Sequence, residues 1–149
     1  MAEYGKGVNY TKVLDPSSEN IIDPGLIGGK VRVFQDYISI AATNLQSSNY
    51  VIFGSKLPTG AQVVDIRVST DGALGTNSHI VVGDEGDSDR YITSTTVSTG
   101  TVAFGPNVAG GMYYSVTGTT DNYIRVAAAA AASIVSGSTL KVSVMYVVE

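Results

Sequence analysis

The stretch VVGDEGDSDRYI, residues 81–92, sets four carboxylates, Asp84, Glu85, Asp87 and Asp89, beside Arg90 and between two apolar runs. Carboxylates at that density can ligate a divalent cation, act as a general acid and base, or solvate a turn. An EF-hand loop needs oxygen ligands at its first, third and fifth positions, Gly at the sixth and Glu at the twelfth. Counted from Asp84, the third, fifth and sixth places hold Gly86, Ser88 and Asp89, so that register fails. A less patterned cation loop built from Asp84, Asp87 and Asp89 is the metal candidate that remains. Glycoside hydrolysis needs one carboxyl in a cleft with a raised pKa, which a run of solvated acids beside Gly disfavours. The expectation is a solvated turn joining two buried strands. Gly83 and Gly86 would supply positive φ, the Asp side chains would bond nearby backbone N–H groups, and Arg90 would offset the clustered charge.

Other chemistry is thinly represented. The single imidazole, His79, stands at the entry of a strand-like run with no G-x-S-x-G motif, and the expectation is a partly exposed ring with an ordinary hydrogen bond. With no Cys there is no disulfide, thiol nucleophile or thiolate metal cluster. Neither GxGxxG after a strand nor GxxxxGK[ST] occurs, and IIDPGLIGGK resembles a phosphate loop only superficially. The chain lacks a nucleophile, base and orienting group, so no enzyme and no cofactor is expected. Nine Tyr against three Phe and no Trp point to amphipathic contact area. Tyr113 and Tyr114, and Tyr4 and Tyr10, are interface or ligand candidates, with ordinary cross-strand packing as the alternative for the first pair.

These residues sit in a chain of 149 residues, 44% apolar and only 15% charged, rich in Gly, Ser and Thr, which suits one all-β domain. A formal charge of −4 gives no basic footprint, so nucleic acid and anionic membrane are not expected partners. Few charges among many apolar residues suggest that neighbours hide some of the surface. The first residues contain no apolar signal-peptide core and no run is long enough to span a membrane, so synthesis inside a cell is expected. Residues 1–30 carry two Asp-Pro pairs, five Gly and no sustained period, and read as an extended arm. Its apolar residues come in pairs, Val13-Leu14, Ile21-Ile22 and Leu26-Ile27, which can lie on a surface but cannot form a core. Docking on another subunit, wrapping over its own domain and disorder all stay open on this pattern.

Residues 31–149 read as a β-sandwich or barrel, jelly-roll-like, of about eight strands. The strand-like stretches are 31–41, 50–54, 61–70, 79–83, 90–97, 101–104, 112–117, 123–128 and 139–148. In AQVVDIRVST, Val64, Ile66 and Val68 should share a buried face, with Asp65, Arg67 and Ser69 opposite; in LKVSVMYVVE, Leu140, Val142, Val144, Tyr146 and Val148 should share one. Met145 and Val147 stand opposite that second face, so the strand's end is expected to be covered on both sides, a cover that a subunit contact could supply. Ala127–Ala132 conflicts with the strand pattern and reads as small side chains at a crowded strand end or loop, or as one helical turn.

The succession NYTKVLDPSSENIIDPGLIGGKVRV, LPTGAQVVDIRVSTD, IVVGDEGDSDRYI and TLKVSVMYVVE resembles small structural proteins of tailed bacteriophages, some of them head decoration (cement) proteins. The resemblance covers most of the chain, and no single phrase in it carries known chemistry. It implies a β-rich subunit, expected to be a homotrimer, on the outer surface of the virion, bridging major capsid proteins through an extended arm. The arm anchors would be Ile21, Ile22, Leu26 and Ile27, with Tyr4, Tyr10, Val13 and Leu14 assisting. An alternative is a neck, tail or head-fibre protein touching a host surface glycan through Tyr113, Tyr114 and the acidic turn. A third is a calcium-dependent adhesion module.

Overall fold

The computed structural model describes residues 30–40, 49–72, 79–117, 122–129 and 137–148. The arm candidates Tyr4, Tyr10, Val13, Leu14, Ile21, Ile22, Leu26 and Ile27 lie outside the described residues, as do Ala130–Ala132.

Period-2 alternation in short runs punctuated by Gly and Asp becomes eight strands: β1 (Lys30–Ser39), β2 (Tyr50–Phe53), β3 (Gln62–Thr70), β4 (His79–Gly83), β5 (Ile92–Thr96), β6 (Val102–Gly105), β7 (Ile124–Ala128) and β8 (Thr139–Val148). They form two four-stranded sheets of order β1-β8-β3-β6 and β2-β7-β4-β5, every pairing antiparallel. Strand β1 thus pairs with β8, β2 with β7, β3 with β6 and β4 with β5: a long hairpin rolled up so that alternate rungs fall in opposite sheets, which is the jelly roll.

The core is where the two inner faces meet. On β8, Leu140, Val142, Val144 and Tyr146 are buried and Val148 packs against them, as the alternation requires. They face Ile80 and Val82 of β4, Ile92 of β5, and Ile124 and Val126 of β7 across a single cluster. One tie between the layers lies at a rim. Phe34 of β1 overlies Gly54, where φ is +68° and a Cβ would run into the ring, and the Asp36 carboxylate accepts the Gly54 N–H at 2.8 Å. Within the first sheet, Asp71 accepts the Thr139 N–H at 2.7 Å and extends the β3–β8 pairing past Thr70.

Three expectations fail locally. On β3 the register shifts between Val63 and Asp65, so Val63 is buried in place of Val64, which is 48% exposed; Ile66 and Val68 stay inside. The extra residue of this β-bulge turns one side chain to the other face. Residues 112–117 are not a strand: Tyr113 has φ +63°, and only Ser115 makes a bridge, to Gln62. Strand β5 begins at Ile92 rather than Arg90, whose side chain is drawn into the preceding turn.

The bulge yields a contrast within one strand. Ile66→Ala should cost about 2–5 kcal/mol of stability, whereas Val64→Ala should stay within about 0.5 kcal/mol. Urea unfolding should show a lower midpoint for the first variant alone.

Candidate functional site at the acidic turn

The turn between β4 and β5 is built around one carboxylate facing inward. Asp84 is only 5% exposed, although Glu85 to Asp89 are all exposed. Its Oδ1 accepts the N–H groups of Gly86 at 2.9 Å and Asp87 at 3.1 Å. Its Oδ2 accepts Arg90 Nε–H at 2.7 Å and the Tyr91 hydroxyl at 3.2 Å. The Arg90 guanidinium in turn stacks 3.7 Å above the Tyr114 ring, which brings residues far apart in sequence into one knot.

Backbone contacts tighten it. The Asp84 N–H donates to the Asp87 carbonyl, the Tyr91 N–H to Val82, and the Asn107 N–H to the Tyr91 carbonyl. Gly83 is required here for close approach rather than for positive φ, because a Cβ would collide with the Asp87 carbonyl oxygen. Positive φ falls instead at Gly54, Gly60, Gly100 and Gly137, which corrects the role expected of Gly83 and Gly86. The turn is also not wholly solvated: Asp84 belongs to the interior, where it pairs with a half-buried arginine and accepts the hydroxyl of a buried tyrosine.

The electrostatics follow from this packing. Burial, and then the adjacent Asp84 charge and hydrogen bond, hold the Tyr91 hydroxyl far above its ordinary range. Burial by itself would lower the Arg90 pKa, but the bond to Asp84 and its charge outweigh that and raise it. The Asp89 carboxyl is raised by a hydrogen bond to the Asp87 carboxyl, then by burial and like charge.

The cation candidates therefore differ in what they can offer. Asp84 has both oxygens committed to four protein donors, and Asp87 Oδ1 accepts the Asp89 N–H at 3.3 Å. Among the described residues no three His, Cys, Asp or Glu side chains are grouped to hold a metal ion.

The two tyrosines diverge. Tyr114 is half-buried under Arg90, whereas Tyr113 is 79% exposed beside a groove of about 300 Å³ lined by Gln62, Val64, Pro106 and Met112. His79 opens β4 half-buried, with a ring nitrogen 3.4 Å from the Thr96 hydroxyl. A grouping absent from the sequence reading joins the acidic turn to β2 and β7. Arg125 of β7 stacks 4.5 Å over Tyr50 of β2 and reaches Glu85 at 3.8 Å, bordering a cavity of about 360 Å³. Only the β2–β7 register, Ile52 opposite Arg125, brings Tyr50 diagonally beside that arginine.

No family model and no curated protein matches the chain. Its fold is similar to three solved structures. A chain of the cyanophage Pam1 capsid asymmetric unit aligns at 21% identity and TM-score 0.64, covering 100% of this chain and 93% of that one. A chain of the capsid of Ralstonia phage GP4 aligns at 16% identity and TM-score 0.59, covering 81% and 86%. A chain of the acidic stable capsid structure of Helicobacter pylori bacteriophage KHP30 aligns at 12% identity and TM-score 0.52, covering 79% and 87%. At these identities the likeness is one of fold.

Removing the acceptor should unfold the knot's energetics. Asp84→Ala leaves the half-buried Arg90 without its carboxylate and should cost about 1–3 kcal/mol, against less than about 0.5 kcal/mol for Asp89→Ala. Calcium or a chelator should leave the melting temperature of the native chain unchanged. Tyr91→Phe should cost about 1 kcal/mol near neutral pH. The folded tyrosine titrates above the unfolded one, so its stabilisation is complete below the ordinary value of 10.0 and fades as pH rises beyond it. The variant should therefore lose less stability than the native chain at alkaline pH, which denaturant midpoints against pH will show.

Proposed function

We propose that this chain is a structural protein of a tailed-phage head, a decoration or cement subunit on the outer surface of the capsid. The observation that carries this reading is the fold likeness to three phage capsid chains, the first along the whole length of this one. The phrases of sequence that resemble small structural proteins of tailed phages, some of them decoration proteins, are consistent with it. The acidic turn adds support of a different kind, since its central carboxylate is used up in holding the fold.

The work done is binding. A DNA-filled shell is under outward pressure, and a subunit bridging neighbouring major capsid proteins adds apolar contact that must be lost before they part. The arm supplies the bridge through Ile21, Ile22, Leu26 and Ile27, with Tyr4, Tyr10, Val13 and Leu14 alongside. Burying one Ile or Leu contributes about 1.5–3 kcal/mol, while fixing each backbone residue costs about 1–2 kcal/mol. One arm alone therefore gains little. A homotrimer with three arms engages its later sites at high effective concentration, so weak single contacts add up to firm attachment.

Deleting residues 2–28 should leave a folded domain that no longer binds heads, read by co-sedimentation of the purified protein with particles lacking it. Undiminished occupancy would contradict the arm's role. Quantitative mass spectrometry of virions should find a copy number comparable to the shell protein's; a few copies per particle would place the chain at the neck or tail instead.

A further inference from the structure

The outer face of the β2-β7-β4-β5 sheet carries an arginine with an unmatched donor. Along β7 the buried Ile124, Val126 and Ala128 face the core, so Arg125 and Ala127 face outward. Arg125 pairs with Ile52 on one side and Gly83 on the other, and the missing side chain at Gly83 leaves the guanidinium room to reach toward the acidic turn. There it stacks 4.5 Å from the centre of the Tyr50 ring, with only 16% of its side chain exposed. Its Nη2 stands 3.8 Å from Glu85 Oε1, too far for a hydrogen bond, and its Nε is buried with no acceptor. Among the described residues no other buried side-chain nitrogen or oxygen lacks a partner. A planar donor fork held against an aromatic ring, with a donor unmatched, is poised for an acceptor from outside the domain.

The surroundings decide what kind of molecule can bring it. Arg125 borders a cavity of about 360 Å³, the size of a small-molecule site. Ala127 also lines it, and the register sets that methyl between Tyr50 and Val81, so the depression exists where a longer side chain would fill it. The acidic turn forms the facing wall through Glu85 and Asp87, while the charge of Asp84 is already answered by Arg90. An anion entering the cavity meets those two carboxylates, and a cation meets the guanidinium. A neutral molecule with hydroxyls at its rim and an apolar face escapes both penalties. Its oxygens accept from the guanidinium, its O–H groups donate to the carboxylates, and its C–H face lies on the half-exposed Tyr50 ring. Those are the properties of a sugar ring.

We infer that this cavity binds one neutral sugar ring, the terminal unit of a glycan, with Tyr50 as its platform and Arg125, Glu85 and Asp87 as its polar contacts. The site is distinct from Tyr113, beside its own groove, and from Tyr114, committed to Arg90. The test applies the full-length protein, fluorescently labelled, to immobilised oligosaccharides ending in glucose, galactose, mannose or N-acetylglucosamine, with sialic acid and glucuronic acid termini as charged comparators. The affinity of the best binder is then measured by titration. Binding to at least one neutral terminus is expected, weakened about tenfold or more by Tyr50→Ala and by Arg125→Lys, which keeps the charge and loses the fork. Ala127→Leu, which fills the depression, should abolish it, and Tyr113→Ala should bind as the native chain does. Tyr50 is half-exposed, so its variant should melt close to the native temperature and report recognition rather than folding. No binding to any neutral terminus, binding confined to the acidic termini, or binding that survives both Tyr50→Ala and Ala127→Leu would overturn the proposal. The readout uses isolated protein, so its failure is separate from failure to bind heads, which co-sedimentation measures.

Discussion

A two-layer sandwich can bury only the faces that look at each other. The described residues follow that constraint: the inward residues of β3, β4, β7 and β8 fill one cluster, while Val31, Val33 and Val64 on the outward side stay exposed. Among the described residues the rolled hairpin leaves β1 as a ten-residue edge strand, paired with β8 alone. Both of its free aspects, edge and outer face, lie where the N-terminal segment joins. The constraint thus connects the architecture of the domain to its proposed place in an assembly.

The acidic turn illustrates how a charged motif can be architectural. A run of carboxylates reads as solvent-facing, and five of the six residues from Asp84 to Asp89 are exposed. The exception is the residue that organises the others. Arg90 is held against Asp84 and under contact with Tyr114, and Tyr91 is fully buried with its hydroxyl on the same carboxylate. Pairing a half-buried cation with a buried anion that also accepts two backbone N–H groups satisfies what burial would otherwise penalise. The result fixes the β4–β5 connection rather than offering a reactive group.

Most of the strands were legible because alternation survives wherever one face is buried. Strand β8 shows this most fully: its five core-side residues are the five that the period selects. The failures share a cause, since each depends on a contact distant in sequence. The bulge that exposes Val64 is set by the β8 register, and the irregular path of residues 112–117 accommodates Arg90 against Tyr114. Strand order was not legible from a single chain, because nothing in local pattern says which antiparallel neighbour a strand will choose. Likewise Asp84 could not be told from Asp87 or Asp89 until the partners six and seven residues onward were seen to turn toward it.

The claim on which the proposed function turns is that residues 1–28 gain order on a neighbouring molecule, as an arm of the domain that begins at Lys30. Amide hydrogen exchange, compared between the isolated protein and the same protein on assembled heads, tests this most directly. Rapid exchange through residues 1–28 in isolation and strong protection on the particle is the predicted result. Equal protection of that segment in the isolated monomer would contradict it.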